Sequence, residues 1–214
     1  MKSNTQASRE LSKTAMTTVR ISFGLLAMLA LFSCSNDGSS RSTTPAATPL
    51  GTITAAFTAS GTASTPDLVR LTGATAGDTI TVEVVLGGAT TSQDIYSYAF
   101  DLLLGDAAVA RYVPNSISVG NSLSTTGGQT TIALASENGN RVTVGVTKSG
   151  SGGGNGVASP EEVVVRLDFQ VLQRTTTTLA LEDSGSSTAA ALDSNGAIIG
   201  SVQFDVATAQ ITGA

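Results

Sequence analysis

Residues 163–171 read VVVRLDFQV, and this short run decides the fold. Val163, Val165, Leu167, Phe169 and Val171 are apolar, while Arg166, Asp168 and Gln170 fall between them. A period of two sends alternate side chains to opposite faces, which describes a strand with one face buried and one in water. The pattern recurs on both sides of the run. Ile80, Val82, Val84 and Leu86 alternate with Thr81 and Glu83. Tyr96, Tyr98, Phe100 and Leu102 alternate with Ser97, Ala99 and Asp101. Val142, Val144 and Val146 follow the same rule, as do Leu179 with Leu181 and Phe204 with Val206. Turn-forming residues separate these runs at Gly87-Gly88, Gly127-Gly128, Asn138-Gly139-Asn140, 149–156 and Asn195-Gly196. No stretch carries a sustained helical period, although 106–112 (DAAVARY) has room for one helical turn. The expectation is an all-β domain, an antiparallel sandwich of about nine strands.

Outward from the strands the composition changes. Residues 35–66 are dominated by Ser, Thr, Ala, Gly and Pro, which bury too little apolar surface to offset chain entropy. They are expected to be a tether, with Ile53 to Phe57 either linker or an extra edge strand, linker preferred. Further upstream, Ile21 to Phe32 is an uncharged apolar run preceded by Lys13 and Arg20. A helix of that length rises only about 18 Å against about 30 Å of hydrocarbon, so it reads as a secretory signal rather than a span. The run closes on Leu31-Phe32-Ser33-Cys34, and Cys34 is the one cysteine of the chain. This resembles the lipobox of bacterial lipoproteins. The resemblance implies cleavage after Ser33, diacylglycerol on the Cys34 thiol and acylation of the new amino group. Ser35 after the cysteine resembles the pattern sent to an outer membrane. The expected parts are therefore 1–33 signal peptide, 34–66 lipidated cysteine and tether, and 67–214 folded domain, with Met16 an alternative start.

Charge and composition narrow the function. Four of the eleven basic residues and one of the sixteen acids lie in the signal, which leaves an exported body with seven basic and fifteen acidic residues. An acidic body without a basic stripe is a poor partner for nucleic acid, so no nucleic-acid binding is expected. There is no histidine, which removes the usual general base, the usual zinc ligand and any Ser-His-Asp triad. The glycine-rich 150–156 lacks the lysine of a phosphate-binding loop and reads as a flexible loop. Glu161-Glu162 and Glu182-Asp183 read as solvated strand ends. Asp183, Asp193 and Asn195 carry oxygens at a generic spacing, and no metal or cofactor is assigned to them. The chain is not expected to be an enzyme.

The order of the pieces resembles the cohesin domain, a jelly-roll sandwich related to several carbohydrate-binding modules. Gly77-Asp78-Thr79 leading into ITVEVVL matches the family's turn into its alternating strand. YSYAFDLLLGDAAVARYVPNSISVGNSL follows the aromatic strand, corner and apolar segment, with Leu104-Gly105-Asp106 standing at the family's Tyr-Asp-Pro corner. GNGVASPEEVVVRLDFQVL and ALDSNGAIIGSVQFDVATAQITG resemble the later turn and closing strands. The resemblance implies a protein-binding module whose flat sheet face receives a dockerin, and it carries that role to Ser97, Ala99 and Asp101. Two alternatives stand beside it. A carbohydrate-binding module would need an exposed aromatic, for which Tyr112 is the candidate. A structural surface spacer would need no site at all. In either binding reading the partner, dockerin-like protein or polysaccharide, is met at a cell surface to which lipid on Cys34 holds the chain.

Overall fold

The computed structural model describes residues 51–61, 65–88, 92–125, 127–155, 161–182 and 189–214. The signal, Cys34 and most of the expected tether lie outside these residues. The chain divides into two units, Met1–Ala47 and Thr48–Ala214, and the second contains every residue of the core.

Among the described residues there are thirteen strands and no helix: β1 (Ala55–Thr58), β2 (Leu68–Ala76), β3 (Thr79–Gly87), β4 (Ser97–Leu104), β5 (Ala110–Tyr112), β6 (Ser118–Val119), β7 (Thr130–Asn138), β8 (Arg141–Ser149), β9 (Glu161–Val171), β10 (Thr176–Leu181), β11 (Ala190–Leu192), β12 (Gln203–Phe204) and β13 (Thr208–Gly213). They form two sheets. One has the order β1-β13-β10-β4-β8-β7, with β11 also on β4; the other has the order β12-β2-β3-β9-β5, with β6 also on β9. All pairs are antiparallel except β12 with β2. The all-β sandwich read from the alternation is thus the fold. The strand number exceeds nine because β1, β5, β6, β11 and β12 hold two to four residues each, too few to show a period.

Alternation becomes a core because the inward faces of the two sheets meet. Ile80, Val82, Val84 and Leu86 of β3 are fully buried, as are Val142, Val144 and Val146 of β8. Phe100 of β4 meets Phe204 of β12 at 6.0 Å between ring centroids. Phe169 of β9 is fully enclosed, and burial of such a ring contributes about 2–3 kcal/mol.

Two local expectations need correction, and a third is refined. Ile53 to Phe57, taken as linker, runs into β1, which pairs with β13 from Ala55↔Gly213 to Thr58↔Gln210. Ala55 is buried and Phe57 packs on the core, so this stretch has enough apolar surface to order itself. In β9 the alternation breaks: Val84 pairs with Val165 but Val85 pairs with Val163, a bulge that leaves Val164 extra. Val164 is buried and Val163 is only half-buried, the reverse of the simple period. The bulge receives a neighbouring segment, since Gly120 donates to the Val164 carbonyl and Ser122 to that of Val163, both at 2.9 Å. A Cβ on Gly120 would stand 2.0 Å from the Val163 carbonyl oxygen, so only glycine permits this approach. Finally, 106–112 makes a single turn, with Val109 donating to the Asp106 carbonyl, and then enters β5.

Candidate partner-binding face

The strand predicted to carry the site, β4, lies inside the seven-stranded sheet with β8 on one side and β10 and β11 on the other. Register fixes what stands beside its outward residues. Ala99 pairs with Gly145 of β8 and Ala190 of β11, and Gly145 pairs with Leu134 of β7. One row across the outer face therefore reads Leu134, Gly145, Ala99, Ala190. The row beside it reads Ile132, Thr147, Ser97, Leu192. A Cβ built on Gly145 would meet no atom within 4 Å, so the middle of the face is open. Small side chains form its floor, and Leu134 (70% exposed) and Ile132 (47% exposed) rise along the β7 side. Hydroxyls of Ser97, Thr143 and Thr147 flank the apolar row. Such a face offers a flat contact with scattered hydrogen-bonding groups.

Of the three residues placed here from sequence, Ala99 is exposed and Ser97 is half-buried. Asp101 is different: it is 3% exposed and its carboxylate is ion-paired with Arg141. Arg141 also holds Glu182 at 2.5 Å, and the Glu182 amide donates to the Asp101 carbonyl at 3.0 Å. Glu182 first, then Asp101, raise the Arg141 pKa and keep it charged. Asp101 is therefore a structural anion under Arg141, not a free contact. The signal was present in sequence only as three separated charges; cross-strand register brings them together.

Tyr112, the candidate carbohydrate platform, is 2% exposed. β5 pairs with β9 so that Tyr112 stands opposite Phe169, and their rings meet edge-on at 6.1 Å inside the sandwich. A ring with no accessible face stacks on no sugar, so Tyr112 is corrected to a core residue. Tyr98 is likewise enclosed, and burial pushes its phenol up. Tyr96, half-buried, donates to the Gly150 carbonyl at 3.0 Å.

The remaining polar candidates serve the fold. The glycine-rich loop, expected to be flexible, is pinned over its described part, 150–155. Lys148, 4% exposed, donates to the Gly153 carbonyl at 3.1 Å and to Asn155 Oδ1, and burial lowers its pKa. Asp94 accepts from the Ser194 hydroxyl at 2.5 Å, the Ser194 amide at 3.2 Å and the Gly154 amide. Glu161, expected to be a solvated acid, forms a two-pronged ion pair with the largely buried Arg70 at 2.6 and 2.8 Å. Its neighbour Glu162 is held above the ordinary carboxylate range by burial. Asp193 spends its carboxylate on its own turn, accepting from the amides of Asn195 and Ala197 at 2.9 and 2.8 Å. Asp183 lies outside the described residues.

Residues 67–207 match the family model for the cohesin domain. The chain belongs to the cohesin family. That family consists of non-catalytic binding modules. Among solved structures this cohesin is similar to a non-cellulosomal cohesin from the archaeon Archaeoglobus fulgidus, at 18% identity and TM-score 0.42, covering 62% of this chain and 78% of that one. It is similar to the cohesin CaCohA2 of Clostridium acetobutylicum at 17% identity and TM-score 0.44, covering 71% and 95%. A third is the type II cohesin of a cohesin–X–dockerin complex from Acetivibrio cellulolyticus, at 15% identity and TM-score 0.41, covering 62% and 89%. No curated protein matches the cohesin in sequence.

Proposed function

We propose that this chain is a lipid-anchored, non-catalytic cohesin that captures a dockerin-type protein on the outer face of its seven-stranded sheet. It would hold that partner at the cell surface in connection with polysaccharide binding or breakdown. The observation that carries the reading is the row Leu134, Gly145, Ala99, Ala190, an open apolar strip set in a rigid sheet. Small residues at its centre let a partner's backbone approach closely, and the exposed Leu134 adds apolar area for a partner to bury. The polar contacts left to the face are Ser97 and its hydroxyl neighbours, since Asp101 is engaged by Arg141. A solved cohesin–X–dockerin complex of a relative supports the choice of partner class. The Leu31-to-Cys34 motif supports the anchor.

The test is Ala99→Arg. Ala99 is exposed and Gly145 beside it leaves space, so the substitution should leave the melting temperature unchanged. It should cost at least about tenfold in affinity for a calcium-loaded dockerin measured by calorimetry. Undiminished binding would move the site off this face.

A further inference from the structure

We propose that two copies of this chain associate through β7, pairing antiparallel about a two-fold axis at Leu134 so that their seven-stranded sheets become continuous. The association rests on the edge of the sheet and not on capture of any partner by its face, and of the face residues it covers Leu134 at the rim.

The direction of the main chain in β7 follows from bonds two strands away. Lys148 donates to the Tyr96 carbonyl and Leu104 donates to that of Asn140. Even-numbered residues of β8 therefore bond to β4, and odd-numbered ones bond to β7. Their partners in register are Thr130, Ile132, Leu134, Ser136 and Asn138. The N–H and C=O groups of Thr131, Ala133, Ala135 and Glu137 point out of the sheet, and among the described residues no main-chain bond reaches them. Side chains steady this edge from beneath. Thr131 donates to the Leu123 carbonyl at 3.2 Å, and Glu137 accepts from the Tyr112 amide and Arg111, both at 3.3 Å.

Sheet edges are normally blunted by shortness, proline, lysine or a bulge. Among the described residues, the other edge pieces are short: β1 has four residues, β5 three, β6 two and β12 two. β7 has nine, without proline, lysine or arginine, and its pairing with β8 runs without a bulge. It is the one long bare edge among them.

The edge also complements itself. With the axis at Leu134, Ala133 meets Ala135 and Thr131 meets Glu137 of the second copy, so every outward N–H finds a carbonyl. Glu137, the single charged residue of β7, faces threonine, and no like charges meet. Leu134 faces its own copy in the non-hydrogen-bonded position, where Cα atoms stand about 4.5 Å apart. This contact covers the side chain that is 70% exposed in one copy. Because the axis is perpendicular to the sheet, both outer faces end on the same side.

The unit Thr48–Ala214 contains the whole core and suits sedimentation velocity at concentrations from about 10 µM to about 1 mM, which covers the weak affinity of a small interface. A concentration-dependent dimer is expected. Ala135→Pro removes an outward N–H and no bond to β8, so it should abolish the dimer while the monomer stays folded. Leu134→Cys should oxidise to a linked dimer, because its Cα separation lies within disulfide reach. Ile198→Cys, on a side chain 73% exposed elsewhere, should not. A monomer across the whole range, a dimer indifferent to Ala135→Pro, or equal cross-linking at Ile198 would overturn the proposal.

Discussion

Asp94 sits in the left-handed backbone region at φ 64°, where Asp and Asn are the residues best tolerated after glycine. That conformation turns its carboxylate onto the Ser194 hydroxyl and the Gly154 amide, and these bonds hold its pKa below the ordinary value. The sign follows directly. A carboxylate with a depressed pKa in the folded state contributes stability above its unfolded pKa and loses it as pH falls through the folded one. Stability should therefore decline below about pH 4 through this site. Asp94→Asn keeps the backbone conformation and one acceptor oxygen but cannot titrate, so its melting temperature should fall less steeply with acid. Parallel melts of the two proteins between about pH 5 and 3 check this; identical slopes would remove Asp94 as a source. The half-buried Glu162 works in the opposite sense, favouring the fold when protonated, and is common to both proteins. None of this was legible from the sequence, in which Asp94, Gly154 and Ser194 are far apart. Asp101 carries the same lesson. It falls in the outward phase of its strand, yet outward means exposed only where no neighbouring strand delivers a counter-ion.

β1 is the element whose existence the composition concealed. Its residues, AAFT, are short and set in a Ser/Thr/Ala-rich stretch, so their burial depends on the partner strand. β13 offers a free edge, and Thr54 and Ala214 exchange two main-chain bonds at 2.9 Å to extend the pairing. A Cβ on Gly73 would stand 3.1 Å from Phe57 Cδ1, so the ring packs closely over β2 at that glycine. A domain begun at residue 67 should be less stable in urea than one begun at 51 by about 2–3 kcal/mol, the burial value of a phenylalanine with smaller residues. Equal midpoints would return 51–66 to the tether. Elements with five or more alternating residues, such as β3, β8 and β9, were legible because period two requires no knowledge of neighbours. β7 was not read, although Thr131, Ala133 and Ala135 alternate with Ile132 and Leu134. Its large residues point to solvent and its small ones to the core, so hydrophobicity gives no signal of an inside.

At the scale of the whole molecule, the strand order places β1 at one edge of the seven-stranded sheet and β7 at the other. Five interstrand spacings separate them, about 24 Å. The chain entering at β1 therefore joins the sheet at the edge opposite Leu134 and Ile132. If Cys34 carries lipid, Cys34→Ser should move the protein from the membrane fraction to the soluble fraction of cells, read by immunoblot; retention in the membrane fraction would refute the anchor. The all-β class, the long strands and the turns between them were written in the sequence, because alternation and turn chemistry are local properties of the chain. The family was written there too, through the order in which those pieces follow one another. That Tyr112 is enclosed, that Asp101 is ion-paired with Arg141, that the glycine-rich loop is pinned over its described part and that β7 is left bare came from the fold as a whole. Each of these depends on which strands become neighbours and in what register. That is set by how two sheets pack over one core, a property no single segment contains.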